Sequence, residues 1–270
     1  MKWNKWLAGA LLLSLLLTGC QTGGQKNPSS SSTASAPQTE TQRPDTPSKS
    51  PSELGGFSSV LTPGQGAAGS TPAAPVNPND ISFPYAIPGT QLVIRDIRPY
   101  NGLFLEDGSD QTVSNISVMI LENRGVGLEY AAITLVQGDR QLTFKATAIP
   151  GGTQAVVQEA SAAEYRKGGY TQCGVEIALL DHFEKSESYI RVEENESGSL
   201  VVSNLTDEVI PCVRVFYKFV LEAGEIYVGG ITYTAKILDL KPGEPQTVAP
   251  SHYAAGYSEI MMVRAYETAQ

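Results

Sequence analysis

Short runs of β-forming residues, broken repeatedly by Gly, Asp and Asn, constrain the fold of this chain more than any other feature. The first half contains SVMILEN, AAITLVQ, QLTFKATAI, TQAVVQEA and GVEIALL, and the second half contains SLVVSN, CVRVFYKFVL, EIYVGGITYTAKIL, QTVAP and EIMMVRAYE. Only the segment 160–167 (ASAAEYRK) is rich in helix-forming residues, and it is short. The sequence therefore predicts an all-β fold.

The two halves also match each other in order. The matching segments are LEN at 121–123 and VSN at 202–204, PG at 150–151 and at 242–243, and GYT at 169–171 and GYS at 256–258. A repeat of about 85 to 90 residues suits a seven-strand sandwich. We therefore predict two tandem immunoglobulin-like β-sandwich modules, 86–184 and 185–270, with a polar joint near 181–188.

The N-terminal segment has the pattern of a secretory signal peptide. Lys2 and Lys5 precede an apolar stretch from Leu7 to Leu17, and this stretch is shorter than the roughly 20 residues that a membrane-spanning helix needs. The segment ends with Leu17-Thr18-Gly19-Cys20, which resembles the lipobox of bacterial lipoproteins. The resemblance implies cleavage after residue 19 and a diacylglycerol on the Cys20 sulfur, so that lipid anchors the chain to the membrane.

The segment 20–85 differs in composition from the rest of the chain. After Cys20 it is dominated by Ser, Thr, Pro, Gly, Ala and Gln, and it has few large apolar residues. Such a composition cannot bury enough apolar surface to offset the entropy of ordering. We predict a disordered linker, which acts as a stalk or as a generic spacer.

The charge of the chain argues against some partners. Without residues 1–19, which contain Lys2 and Lys5, the formal net charge changes from −9 to −11. An acidic chain is a poor candidate for nucleic acid or an anionic bilayer as its main partner. A cationic ligand or calcium suits it, although solubility is the usual reason for an acidic exported domain.

Two acidic turns are the candidate calcium ligands. EDGSD at 106–110 and EENE at 193–196 occupy equivalent places in the two predicted modules. Calcium binds six or more oxygens, often from clustered carboxylates. The candidate ligands are Asp107, Asp110, Glu194 and Glu196. A charged hairpin turn is the alternative interpretation of both segments.

The remaining reactive residues are sparse. Besides Cys20 there are only Cys173 and Cys212, which could form a disulfide in an exported protein, although their spacing cannot establish it. The two histidines, His182 and His252, lie outside any nucleophile motif. We therefore expect both histidines at the surface, no catalytic residue and no cofactor.

The second half resembles a known kind of module. The run 213–217 (VRVFY) alternates, with Val213, Val215 and Tyr217 on one face. It is followed by GEI at 224–226 and LKPGE at 240–244. Residues 199–265 thus resemble the FxLYD-type immunoglobulin-like extracellular modules of bacteria, although Lys218 stands where those modules usually carry Asp. The resemblance implies an extracellular binding or spacing role without a shared ligand.

These features together predict a lipoprotein at the extracytoplasmic face of the cell membrane, with a non-catalytic binding or scaffolding role. Expected partners are the membrane, through the N-terminal lipid, and an envelope protein or wall polymer. Two alternatives stay open, namely a ligand-binding lipoprotein that serves a membrane transporter and an envelope enzyme with an unrecognised site. We also expect the tyrosines Tyr217, Tyr227 and Tyr233 to pack mainly in the core rather than to form a ligand face.

Overall fold

A computed structural model describes residues 80–221 and 225–268 of the chain, and the lipobox with Cys20 and most of the predicted linker lie outside these residues. The described residues form thirteen strands and no helix. The strands are β1 (Tyr85–Ala86), β2 (Leu92–Leu103), β3 (Thr112–Asn123), β4 (Gly127–Gln137), β5 (Arg140–Ile149), β6 (Thr153–Gln158), β7 (Gln172–Leu180), β8 (Ile190–Glu194), β9 (Leu200–Asn204), β10 (Ile210–Leu221), β11 (Ile226–Leu240), β12 (Gln246–Val248) and β13 (Ser258–Tyr266). The all-β prediction is confirmed.

The alternation of apolar residues explains which side of each strand is buried. In β10, Val213, Val215 and Tyr217 lie in the core, as the sequence pattern predicts. Arg214 and Phe216, on the opposite face, are half-buried. The segment 160–167, which is rich in helix formers, is irregular, because it runs beside β3 and contributes only an isolated bridge from Glu164 to Ile116.

A seven-stranded sheet runs through both halves of the sequence. Its strand order is β1-β2-β3-β6-β11-β10-β13. All neighbours are antiparallel except β6 and β11, which pair in parallel where Gln154–Val156 meets Ile226–Val228. This parallel pair joins strands of the first half to strands of the second half across the predicted boundary at 184/185. All of the described residues belong to one compact unit.

Two three-stranded sheets, β5-β4-β7 and β12-β9-β8, complete the structure. The core beside β4 and β5 contains apolar residues of the first half together with Tyr227 and Met261 from β11 and β13. A second core packs β8 and β9 against β10 and β11, and includes Val202 and Val215. The cores of the two halves are therefore not separate, since side chains of the second half complete the core of the first.

The chain joins the folded unit slightly earlier than the sequence predicts. Ile81 and Phe83, inside the predicted linker, pack against the first core. The Ile81 N–H also donates a hydrogen bond to the Tyr170 carbonyl oxygen at 2.6 Å. Within the described part of the chain, no helix is long and apolar enough to cross a membrane.

Candidate functional site

A cleft of about 530 Å³ opens at one end of the second half. The turn after β9, the start of β10 and the end of β13 form its walls. Its lining residues are Tyr189, Thr206, Asp207, Glu208, Val209, Ile210, Pro211, Ala265, Tyr266 and Glu267. The lining thus includes three acidic residues and two tyrosines as well as apolar residues, a composition that favours a cationic group over an anionic one.

Exposed apolar side chains concentrate around this cleft. Val209 and Tyr266 line it, and Leu205 directly precedes Thr206 in its wall. Leu238 on β11 and Tyr266 on β13 both pair with Cys212 on β10, so Leu238 lies two strands away from Tyr266. Four of the six exposed large apolar side chains among the described residues thus lie in this region. Such a concentration is typical of an interaction surface rather than of scattered surface apolar residues.

A second polar cluster is built around His252. Its Nε2 atom lies 3.0 Å from Asp110 Oδ2, and its Nδ1 atom lies 3.0 Å from Ser251 Oγ. Its ring stacks on Tyr233 at a centroid distance of 4.3 Å. The side chain is only 19 % exposed, so the expectation of a surface histidine is corrected: the Tyr233 ring covers one face of the imidazole.

The Ser251-His252-Asp110 arrangement differs from a hydrolytic triad in one respect. In such triads the serine bonds Nε2 of the histidine and the carboxylate bonds Nδ1. Here Ser251 lies at Nδ1 and Asp110 at Nε2. The contacts hold the 250–254 loop against the 106–110 turn.

The half-buried Glu106 and the fully buried Lys218 bind neighbouring main-chain atoms of β11. The Glu106 carboxylate accepts hydrogen bonds from the N–H groups of Gly230, Ile231 and Gln158 at 2.7, 3.1 and 3.0 Å. Lys218 donates to the carbonyl oxygens of Gly230 and Ile231 at 2.8 and 2.7 Å. The two side chains therefore bind opposite polar groups of the same two residues of β11.

The environment of this pair shifts both pKa values. Lys218 is fully buried, and desolvation lowers the pKa of its ammonium group to about 7, against the opposing effect of Glu106. Desolvation raises the pKa of the Glu106 carboxyl group, while the Gly230 N–H, Lys218 and two further main-chain N–H groups act in the opposite direction. Each group thus limits the cost of burying the other.

The four predicted calcium ligands do not come together. Asp107 caps its own turn by accepting from Ser109 N–H at 2.8 Å, and the Ser109 side chain, together with this N–H, lowers the pKa of the Asp107 carboxyl group. Asp110 contacts His252, and Glu194 accepts from Tyr253 O–H at 2.7 Å. Glu196 is exposed. No group of three or more His, Cys, Asp or Glu side chains within residues 80–221 and 225–268 is placed to hold a metal ion.

The disulfide considered between Cys173 and Cys212 is not formed, because both residues are free thiols. Cys173 lies on β7, at the edge of the β5-β4-β7 sheet, whereas Cys212 lies on β10 inside the seven-stranded sheet. Burial raises the pKa of the Cys173 thiol, so its thiolate fraction at neutral pH is small.

The other predicted surface and core residues follow expectation. His182 is 74 % exposed beside Glu184, as expected for a surface histidine. Tyr217 and Tyr227 are buried, and Tyr233 is half-buried between Phe219 and His252. The expectation that these tyrosines pack mainly in the core is confirmed.

The sequence reasoning missed the Glu106–Lys218 pair and the Asp110–His252 contact. The first left a signal, because Lys218 is a charged residue in an otherwise apolar strand segment, FYKFV at 216–220. A fully buried lysine requires polar partners. The second left none, since Asp110 and His252 are 142 positions apart and belong to different predicted modules.

Neither a protein-family model, nor a curated protein, nor a solved structure matches this chain.

Proposed function

We propose that this protein is a cell-surface lipoprotein whose folded part is a non-catalytic binding or scaffolding unit. Lipid on Cys20 anchors it to the extracytoplasmic face of a bacterial cell membrane, and the segment 20–85 serves as a stalk. Its partner is an envelope protein or a wall polymer. The observation that carries the proposal is the concentration of exposed apolar side chains around the cleft of the second half.

We further propose that the folded part consists of two immunoglobulin-like modules that share one sheet. Two observations support this. The sheet order β5-β4-β7 has its counterpart in β11-β10-β13, and β2-β3-β6 in β8-β9-β12, so the two halves repeat one pairing scheme. Asn123 and Asn204, the matching residues of the sequence repeat, are both buried at the end of a strand.

A test of the binding role compares two matched surface variants of the full chain. Leu205, beside the cleft, and Leu179, on β7 of the first half, are exposed to 51 % and 52 %. Leu205→Asp and Leu179→Asp therefore make equivalent changes in different places. We expect immobilised wild type to retain an envelope protein or isolated wall polymer from the source organism, Leu205→Asp to lose most of this retention, and Leu179→Asp to keep it.

Two results would count against the proposal. If both variants lose retention equally, the cleft region is not the binding surface. Hydrolytic activity of the purified chain that disappears in His252→Ala would indicate an enzyme instead, with Ser251 and Asp110 as the partners of the histidine.

A second candidate function follows from the composition of the cleft. Asp207, Glu208 and Glu267 with Tyr189 and Tyr266 offer a site for a small cationic ligand. This observation favours the alternative of a ligand-binding lipoprotein that serves a transporter. Calorimetric titration with a polyamine would test it, since Glu208→Gln should weaken binding at the cleft, whereas Glu176→Gln, at an exposed position on β7 of the first half, should leave it unchanged.

A further inference from the structure

The cleft of the second half presents apolar side chains that the fold leaves in water. Val209 and Tyr266 line it, Leu205 lies beside its wall, and all three are exposed. Single exposed apolar residues are common on protein surfaces, but several in one concave place are typical of a contact surface for another molecule. The volume of about 530 Å³ also lies within the range of about 300 to 1,000 Å³ that is usual for ligand-binding pockets.

The same cleft carries negative charge that its own lining does not neutralise. Asp207, Glu208 and Glu267 are exposed, and none of the described lining residues is Lys, Arg or His. These three acidic residues also take part in none of the ion pairs within the described part of the chain. On the first half, by contrast, Glu122 pairs with Arg124 at 3.0 Å. The cleft therefore combines apolar contact with an excess of negative charge.

Local contacts hold the walls of the cleft in place before a partner binds. The Asn204 amide donates to the Glu208 carbonyl oxygen at 2.7 Å, and the Asn204 side-chain oxygen accepts from Thr206 N–H at 2.9 Å. These contacts involve the main chain of Glu208 and not its carboxylate. At the end of β13, the Arg214 guanidinium lies over the Tyr266 ring, 5.1 Å from its centroid, and orients this ring. A surface that is ordered in advance loses less conformational entropy on binding.

The charge and the apolar side chains together narrow the class of partner. A polymer that is rich in phosphate or carboxylate is repelled by the three carboxylates of the cleft. A small polyamine matches the charge, but it has no bulky apolar group and leaves Leu205 and Val209 in water. A polypeptide segment can place Lys or Arg beside the carboxylates and, at the same time, Leu, Ile or Phe against the apolar side chains.

We propose that the cleft binds a segment of a partner protein in which basic residues alternate with large apolar residues. This inference rests on the proposed binding role, and of the two partner classes named there it specifies a protein and the chemistry of its bound segment. The basic groups of that segment contact Asp207, Glu208 and Glu267, which attract and orient it. Its apolar side chains cover Leu205 and Val209.

The test is a calorimetric titration of the purified full chain with three short synthetic peptides of equal length. Lysine alternates with leucine in the first peptide, glutamate replaces lysine in the second, and serine replaces leucine in the third. We expect the lysine–leucine peptide to bind about tenfold more tightly than either of the others. Salt should weaken this binding without abolishing it, because salt screens the ion pairs and leaves the apolar contacts in place.

Two pairs of matched variants locate the binding. Glu208→Gln should weaken binding of the lysine–leucine peptide by about two- to fivefold, as for one exposed ion pair. Glu176→Gln, at an exposed position on β7 of the first half, should leave it unchanged. Val209→Ser should weaken binding by about tenfold through loss of apolar contact. Val126→Ser is its control, since Val126 of the first half is 41 % exposed against 50 % for Val209.

The outcomes separate this inference from the proposed function. Weaker peptide binding in Glu208→Gln and Val209→Ser alone supports the inference. Absence of binding in the wild type, equally tight binding of the glutamate or serine peptide, or equal weakening in the controls overturns it. If protease treatment of the envelope extract leaves retention by the wild type intact, and Leu205→Asp still loses it, the binding role stands and the polypeptide assignment fails. Thermal unfolding of every variant verifies that it is folded.

Discussion

At the scale of single residues, buried polar side chains hold the strand ends together. The Asn123 amide donates to the carbonyl oxygens of Val126 and Ile149 at 2.7 and 3.0 Å, and its oxygen accepts from Gly125 N–H. The Asn204 amide donates to the Glu208 and Leu240 carbonyls at 2.7 and 2.9 Å. Each asparagine thereby ties its own turn to a strand that is distant in sequence.

Removal of either amide should destabilise the fold. In Asn123→Ala and Asn204→Ala, buried carbonyl groups lose their donors, and each such group costs about 1 to 3 kcal/mol. We expect each variant to lose about 3 kcal/mol in the free energy of unfolding, measured by urea denaturation. The dependence of this free energy on urea concentration should stay unchanged. Asn195→Ala is the control, because Asn195 bonds Ser197 and Ser199 in an exposed turn where water replaces the lost contacts. A cost in the control as large as in the two variants would contradict this account.

The buried Lys218 should make stability depend on pH in a defined window. Its pKa is about 7 in the folded chain against 10.5 ordinarily, so between these values the native state binds fewer protons than the unfolded state. Stability therefore rises with pH in that window, by at most about 1.4 kcal/mol per pH unit. Relative to Lys218→Met, the wild type should gain stability between pH 7.5 and pH 9.5 in urea denaturation. The wild type should show no such gain relative to Lys241→Met, the control that removes an exposed lysine. If the stability difference between the wild type and Lys218→Met does not change with pH, the lowered pKa of Lys218 is refuted.

At the scale of secondary-structure elements, β11 is the strand of the second half that pairs with the first half, through β6. Its segment around Gly229 and Gly230 interrupts the register with β10, between Tyr217 and Phe219. Gly229 has a φ of +80°, in the region that favours glycine. The neighbouring Gly230 lies so close to β5 that a Cβ there would collide with the main-chain oxygen of Lys145.

Substitution of Gly230 should therefore be costly. In Gly230→Ala, the new methyl group must displace the main chain of β5 and disturb the hydrogen bonds to Glu106 and Lys218. We expect a loss of about 3 kcal/mol or more, as for other overpacked sites with broken buried networks. Gly174→Ala, on β7, is the control, since its Cβ would meet only the Thr134 Cβ, at 4.0 Å. Similar midpoints of chemical denaturation for the two variants would contradict this role of Gly230 in β11.

The strands also show which structural features can be predicted from the sequence and which cannot. The alternation at 213–217 predicted the buried face of β10 correctly, because burial on one side of a strand leaves a period of two in the sequence. The residues of the cleft left no such signal. They come from a turn and from two strand ends, which approach each other only when β10 and β13 pair.

At the scale of the whole molecule, one sheet and one shared core connect the two halves. Tyr227 and Met261, both from the second half, are buried with Leu121 and Ala155 of the first. The parallel pairing of β6 with β11 adds main-chain hydrogen bonds across the same boundary. Two sandwiches connected only by a flexible segment would lack both features.

The two halves should therefore unfold as a single cooperative unit. We expect amide hydrogen exchange followed by mass spectrometry to give the same opening free energy for the central strands β4 and β10. Met261→Ala, which truncates a shared core residue, should lower protection in both strands by the same 2 to 4 kcal/mol, about the usual cost of such a cavity. Lower protection confined to β10 would show that the halves unfold separately.

The amino-acid sequence alone predicts the all-β class, the burial of the alternating strand residues and the matching asparagines of the two halves. These properties depend on side-chain chemistry and on spacing within one strand or one turn, and both are visible in a linear pattern. Other features appear only in the folded molecule, namely the β6–β11 pairing, the Glu106–Lys218 pair and the free thiols. Each of these depends on which distant strands become neighbours and in what register, and a short-range pattern does not encode that choice.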